Sequence, residues 1–100
     1  HTAVIGHSFY IGHFGGIIIN SNANIGNNCN ISQGVTIGVS GINDNRGVPI
    51  IKDNVYVGAN SVIVGKIIVE NNVLIGANSL VSSNVFENST VVGVPAKKIK

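Results

Sequence analysis

Three histidines are the chain's candidates for taking up a proton near neutral pH, and one of them, His13, has unusual neighbours. It precedes Phe14-Gly15-Gly16, where the spacing of aliphatic residues slips by two positions. The glycines there leave open space and backbone N–H groups beside an imidazole, an arrangement suited to a general base. The same position also suits a histidine on an outer face at a contact between subunits, and position alone does not separate the two. His7 lies six residues earlier without a special neighbour, which favours a surface role. His1 is terminal and belongs either to a catalytic region or to a cut end.

The remaining reactive side chains are sparse. Cys29 is the single cysteine, so no internal disulfide forms. That agrees with a reducing compartment, and a packing role suits Cys29 better than nucleophilic duty. One Cys and three scattered His do not give the ligand spacing of a zinc site. The glycine-rich stretch Gly12–Gly16 is followed by no helical pattern, so it is not a phosphate-binding loop, and no Gly-x-Ser-x-Gly elbow occurs. Asp44 and Arg46 lie in a loop-like segment, as a local ion pair or as a substrate contact. Lys97 and Lys98 are either ordinary surface charge or a contact to a phosphate-bearing cofactor. A net charge of +2 without an aromatic-interleaved basic face argues against nucleic acid, and no apolar run reaches membrane-spanning length.

These residues hang on a period of six. Ile51, Val57, Ile63, Val69, Ile75 and Val81 recur without a slip, and Ile19, Ile25, Ile31 and Ile37 do the same earlier. Six is neither the helical period nor that of alternating strands. It is the spacing of a hexapeptide parallel β-helix, in which the chain coils and points one ladder residue inward per hexad. One hundred residues allow a single domain of this kind, here the whole of 1–100. Asn54, Asn60, Asn72, Asn78 and Asn84 each fall three residues after a ladder position. Asparagine tolerates the left-handed region, so these residues serve turns.

The pattern breaks in two places. Fourteen residues separate Ile37 from Ile51, which predicts an extended loop over about 39–48. Loops on a rigid scaffold are where binding groups concentrate. Glu87 stands where the next ladder residue is due, so the repeat ends after Asn84, and residues 91–100 read as a terminal cap. Such a cap closes backbone groups that the last coil exposes. The chain opens at His1 almost inside a repeat, which predicts further residues upstream. Tyr10, Phe14, Ile17, Ile18 and Val55 are candidates for exposed apolar positions on flat outer faces, and such faces predict self-association.

Three stretches carry a family resemblance: Tyr10–Ile19, Ser32–Gly38 and Gly93–Lys97. Together they resemble the catalytic domain of bacterial serine acetyltransferases and, more broadly, hexapeptide-repeat acyltransferases. The resemblance implies an all-β, single-stranded left-handed parallel β-helix with one extended loop. It implies a cytoplasmic homotrimer of triangular prisms that holds acetyl-CoA, its co-substrate, in the groove between neighbouring prisms, acts on a small-molecule acceptor and needs no metal. His13 matches the family's base, which deprotonates the acceptor hydroxyl for direct attack on the thioester. Backbone N–H groups around Val39 and Ser40 match the oxyanion site. Ala59 and Ala77 match positions beside the pantetheine arm, and Lys97 matches a basic residue near the nucleotide.

Three features depart from the family pattern. The family's Asp that orients the histidine falls before His1. The acid that precedes the histidine is here Gly12, and the Arg-His pair before the loop-closing proline is Gly47-Val48. Arg46, one position earlier, is left to bind the acceptor. Alternatives therefore stand beside L-serine: a sugar hydroxyl of capsule or cell-surface polysaccharide, or a non-catalytic β-helix scaffold. An ice-binding solenoid is disfavoured, because Thr2, Thr36 and Thr90 do not form a row.

Overall fold

The computed structural model describes Val4–Ile5, Tyr10–Ile11 and residues 16–100. His1, His7, His13 and Phe14 lie outside the described residues, as does the side chain of Tyr10. The described strands, in chain order, are β1 (Val4–Ile5), β2 (Tyr10–Ile11), β3 (Ile18–Ile19), β4 (Asn24–Ile25), β5 (Asn30–Ile31), β6 (Thr36–Gly38), β7 (Ile50–Ile51), β8 (Tyr56–Val57), β9 (Val62–Val64), β10 (Ile68–Val69), β11 (Leu74–Ile75), β12 (Leu80–Val81), β13 (Thr90–Val92) and β14 (Lys97–Lys98).

Three sheets form from them, each taking every third strand through the regular coils. The first face stacks β1-β4-β7-β10, the second β2-β5-β8-β11-β13-β14, and the third β3-β6-β9-β12. All these pairs are parallel except β13 with β14. The chain therefore winds as a single-stranded parallel β-helix. A regular coil takes three hexads, so Ile75 lies directly over Val57 and Val81 over Ile63.

Pairing puts ladder residue on ladder residue: Ile25 on Ile51 on Val69, Ile31 on Val57 on Ile75, Ile37 on Ile63 on Val81. From Ile25 to Val81 every ladder residue is at most 2 % exposed. Each such side chain contributes about 1.5–3 kcal/mol by leaving water. A second inward position lies two residues before the ladder. Ala23, Cys29, Val35, Pro49, Val55, Ser61, Ile67, Val73 and Ser79 fill it, all buried. Val55, expected on an outer face, is thus part of the core at 1 % exposure. Ile17 is half-buried against the core, while Ile18 is exposed as expected.

Corners are made by left-handed asparagines. Asn54, Asn60, Asn72 and Asn78 have φ between 59° and 61°. Their N–H groups donate to corner carbonyls of the preceding coil: Asn54 to Asn27, Asn60 to Gln33, Asn72 to Asp53 and Asn78 to Ala59. One residue type thus turns the chain and staples one coil to the next.

The repeat does not end at Asn84. The chain contracts by two residues, Val85 takes the ladder place over Val69, and Glu87 is exposed. Val91 follows six residues later, over Ile75. The turn asparagine moves with it: Asn88 has φ 62°, whereas Asn84 instead accepts the Ile68 N–H through its Oδ1. Beyond Gly93 the chain reverses, and β14 closes the second face antiparallel to β13.

Candidate functional site

The corner between the second and third faces repeats one tetrapeptide. Gly58-Ala59-Asn60-Ser61 lies under Gly76-Ala77-Asn78-Ser79, with Asn78 N–H on Ala59 O at 2.9 Å. Below them Gln33 and Gly34 turn the same corner, with Asn60 N–H on Gln33 O at 3.0 Å. Above them Gly93 accepts from Leu80 N–H, and Ala96 N–H donates to Leu80 O. β14 follows at once, with Lys97 opposite Val92. Ala59 is half-buried, and Ala77 and Lys97 are exposed. The structure thus brings Ala59, Ala77 and Lys97 to one edge of the prism, in ascending order.

Glycine is required at this corner. A Cβ on Gly58 would lie 2.5 Å from Ala77 N and 2.8 Å from Ala77 Cα, with no flexible side chain there to yield. Inside the corner, Ser61 and Ser79 are buried and hydrogen-bonded to the backbone. The sequence reading missed both serines, although the repeated Gly-Ala-Asn-Ser was available as a signal. Gln33 Oε1 is buried without a hydrogen-bond partner among the described residues. His13 lies outside the described residues; the strands on either side of it, β2 and β3, belong to the second and third faces.

The extended loop leaves the opposite edge of the third face. It departs after Gly38 and returns at β7 on the first face. Ser40 and Gly47 close its neck as an antiparallel pair, N–H to O in both directions at 3.1 and 3.0 Å. Between them Asn43–Asn45 makes one 3-10 turn without a buried residue. Val39, Ser40 and Arg46 are all exposed. The Ser40 N–H is committed to the neck. The ion pair expected of Asp44 and Arg46 is absent among the described residues. Arg46 uses its backbone N–H on Asn43 O, and the Asp44 carbonyl accepts from Lys66 Nζ at 3.3 Å. A cleft of about 460 Å³ opens beside the loop, lined by Ser40, Asp44, Asn45, Lys66 and Ser82 among others.

The site residues named from sequence therefore divide between two corners. Ala59, Ala77 and Lys97 lie on one edge of the third face, and Val39, Ser40 and Arg46 on the other. Cys29 belongs to neither. It is 1 % exposed, and its thiol donates to Lys52 O at 3.1 Å. Burial pushes the Cys29 thiol pKa up, against the lowering effect of the Val55 backbone hydrogen bond, which keeps it a packing group. No group of three or more His, Cys, Asp or Glu that could hold a metal occurs among the described residues. Nor is any helix among them long and apolar enough to cross a membrane.

Residues 49–83 match the family model described as bacterial transferase hexapeptide (six repeats). The chain is 38 % identical over 97 residues to the serine acetyltransferase of Bacillus subtilis (strain 168), covering 97 % of this chain and 45 % of that protein. The crystal structure of Neisseria gonorrhoeae serine acetyltransferase superposes with a TM-score of 0.92 at 41 % identity, over 99 % of this chain and 38 % of the other. Serine acetyltransferase from Brucella abortus strain S19, in complex with coenzyme A, superposes with a TM-score of 0.90 at 34 % identity, over 98 % of this chain and 39 % of the other. The chain spans less than half the length of these proteins. The coil is the left-handed parallel β-helix expected of the sequence. In repeat, register and fold, the chain is a hexapeptide-repeat protein similar to the serine acetyltransferases.

Proposed function

We propose that this chain is the catalytic β-helix of an acetyl-CoA-dependent serine O-acetyltransferase. The observation that carries the reading is a sequence and fold match to serine acetyltransferases that runs almost from end to end of this chain. The Brucella abortus structure in complex with coenzyme A supports acetyl-CoA as the donor substrate.

In this reading His13 is the general base. It takes the proton of the acceptor hydroxyl as the oxygen attacks the thioester carbonyl, and it returns that proton to the departing thiolate. Such a base contributes about 10²–10⁴-fold. Ala59 and Ala77 let the pantetheine arm approach the backbone, and Lys97 meets the nucleotide end. Ala59 and Ala77 are small, which fits that role. At the loop, with the Ser40 N–H held by Gly47, the Val39 N–H is the donor left to face the developing oxyanion, and Ser40 contributes its hydroxyl. Arg46, exposed on the loop, meets the serine carboxylate.

The two corners stand at opposite edges of one face, so a site that uses both draws them from adjacent copies. This supports a homotrimer of parallel prisms with one site per interface. In this reading the enzyme works in the cytoplasm.

Thiol release from acetyl-CoA, measured against L-serine and a panel of sugars, tests the reading. Serine-dependent release is expected, lost about 10²-fold or more in His13→Ala and abolished in Arg46→Ala. Release with sugars alone, or a rate indifferent to His13→Ala, overturns it.

A further inference from the structure

Ser61 and Ser79 form a buried hydroxyl pair behind the corner that carries Ala77. Ser61 is 0 % and Ser79 2 % exposed. Both donate to the same acceptor, the Gly76 carbonyl, from Ser61 Oγ at 3.0 Å and Ser79 Oγ at 2.6 Å. Each hydroxyl oxygen also accepts: Ser61 Oγ from Ser79 N–H and Ser79 Oγ from Gly93 N–H, both at 3.2 Å. The pair is thus fully satisfied and fixed in orientation, and it spans three successive coils.

A carbonyl drawn inward has a geometric consequence. The Gly76–Ala77 peptide is trans, so its C=O and N–H point in opposite directions. With the carbonyl held by two buried hydroxyls, the Ala77 N–H is turned away from the core. Among the described residues it has no hydrogen-bond partner. Two donors on one carbonyl also polarise the peptide and strengthen its N–H as a donor. The absence of a side chain at Gly58 keeps the space beside that nitrogen clear, since a Cβ there would sit 2.5 Å away. The coil below lacks the arrangement, because Val35 occupies the place beneath Ser61.

We infer that Ser61 and Ser79 are positioning residues for donor-substrate binding: they present the Ala77 N–H to an amide carbonyl of the pantetheine arm. The inference rests on the reading of this corner as the acetyl-CoA site. Pantetheine carries two secondary amides, and an outward N–H on a rigid wall is complementary to their carbonyl oxygens.

The test compares the full chain with Ser61→Ala, Ser79→Ala and the double variant, each checked for an unchanged thermal transition. The double variant is expected to weaken coenzyme A binding by about 3- to 10-fold, the worth of one neutral hydrogen bond. KM for acetyl-CoA rises in proportion, while kcat and KM for L-serine stay within about 2-fold. S-acetylpantetheine, which lacks the nucleotide, shows the same fold-loss. Lys97→Ala weakens acetyl-CoA alone. A general loosening of the corner would instead raise both KM values and lower kcat, and that result overturns the inference, as does unchanged coenzyme A affinity in a folded variant. Should the double variant unfold, Ser61→Ala alone decides by the same readouts. If the unmodified chain binds no coenzyme A, the reading of the site fails first and the inference falls with it.

Discussion

The two edges of the third face solve the same problem in opposite ways. At one, the chain turns in a fixed tetrapeptide whose asparagine staples coil to coil and whose serine bonds the backbone from inside. At the other, the turn between β6 and β7 is replaced by an excursion that is pinched at its base by the Ser40–Gly47 pair and bonded to the body by Lys66. The first edge is a wall with its polar groups set by burial. The second is a projection held at its base. A group-transfer site gains from both, since the donor substrate needs a rigid track and the acceptor needs groups that reach out to it.

The largest effect expected is at the wall. Gly58→Ala forces a methyl into the backbone of the next coil and should cost about 1–3 kcal/mol in denaturant unfolding. Gly38→Ala, at the start of the loop edge, meets its nearest atom at 3.8 Å and should change stability by less than about 0.5 kcal/mol. Equal costs would mean that the two edges are packed alike. A smaller effect follows from replacing residues 41–46 with a two-residue Asn-Gly turn. Closing a shorter loop changes stability by about 1 kcal/mol or less, while the proposed serine acetylation should be lost. Retained acetylation would remove the loop from the site. The smallest effect is at Lys66→Ala, which cuts the contact to the Asp44 carbonyl. Stability should move by under about 0.5 kcal/mol, with faster amide exchange confined to the loop.

Much of this was legible because the coil has a strict period. The ladder from Ile51 to Val81 is buried throughout, and Asn54, Asn60, Asn72 and Asn78 turn where their spacing places them. The second inward position was not read, because its occupants range from Ala23 to Ile67 and include two serines, and mixed chemistry hides a period. Val55 was misplaced for that reason. Glu87 was read as the end of the ladder because a two-residue contraction carries the pattern to Val85, a change visible only in the pairing with Val69. At the site, Ala59 and Ala77 came only from the family resemblance, and the structure stacks them one regular coil apart. The Ser40 N–H bond to Gly47 was not legible, since a loop of no fixed length does not disclose its own neck.

Coil lengths vary where strands do not. Ile31 pairs twenty-six residues on with Val57, Val57 eighteen on with Ile75, and Ile75 sixteen on with Val91. Registration is therefore enforced by the side chains that meet, and residue number between them is free to change. The corner that now carries the loop behaves as a socket: foreign peptide grafted between Ser40 and Gly47 would leave every rung above and below in place. Under the proposed function, swapping that one plug exchanges acceptor specificity while the track for the donor stays untouched.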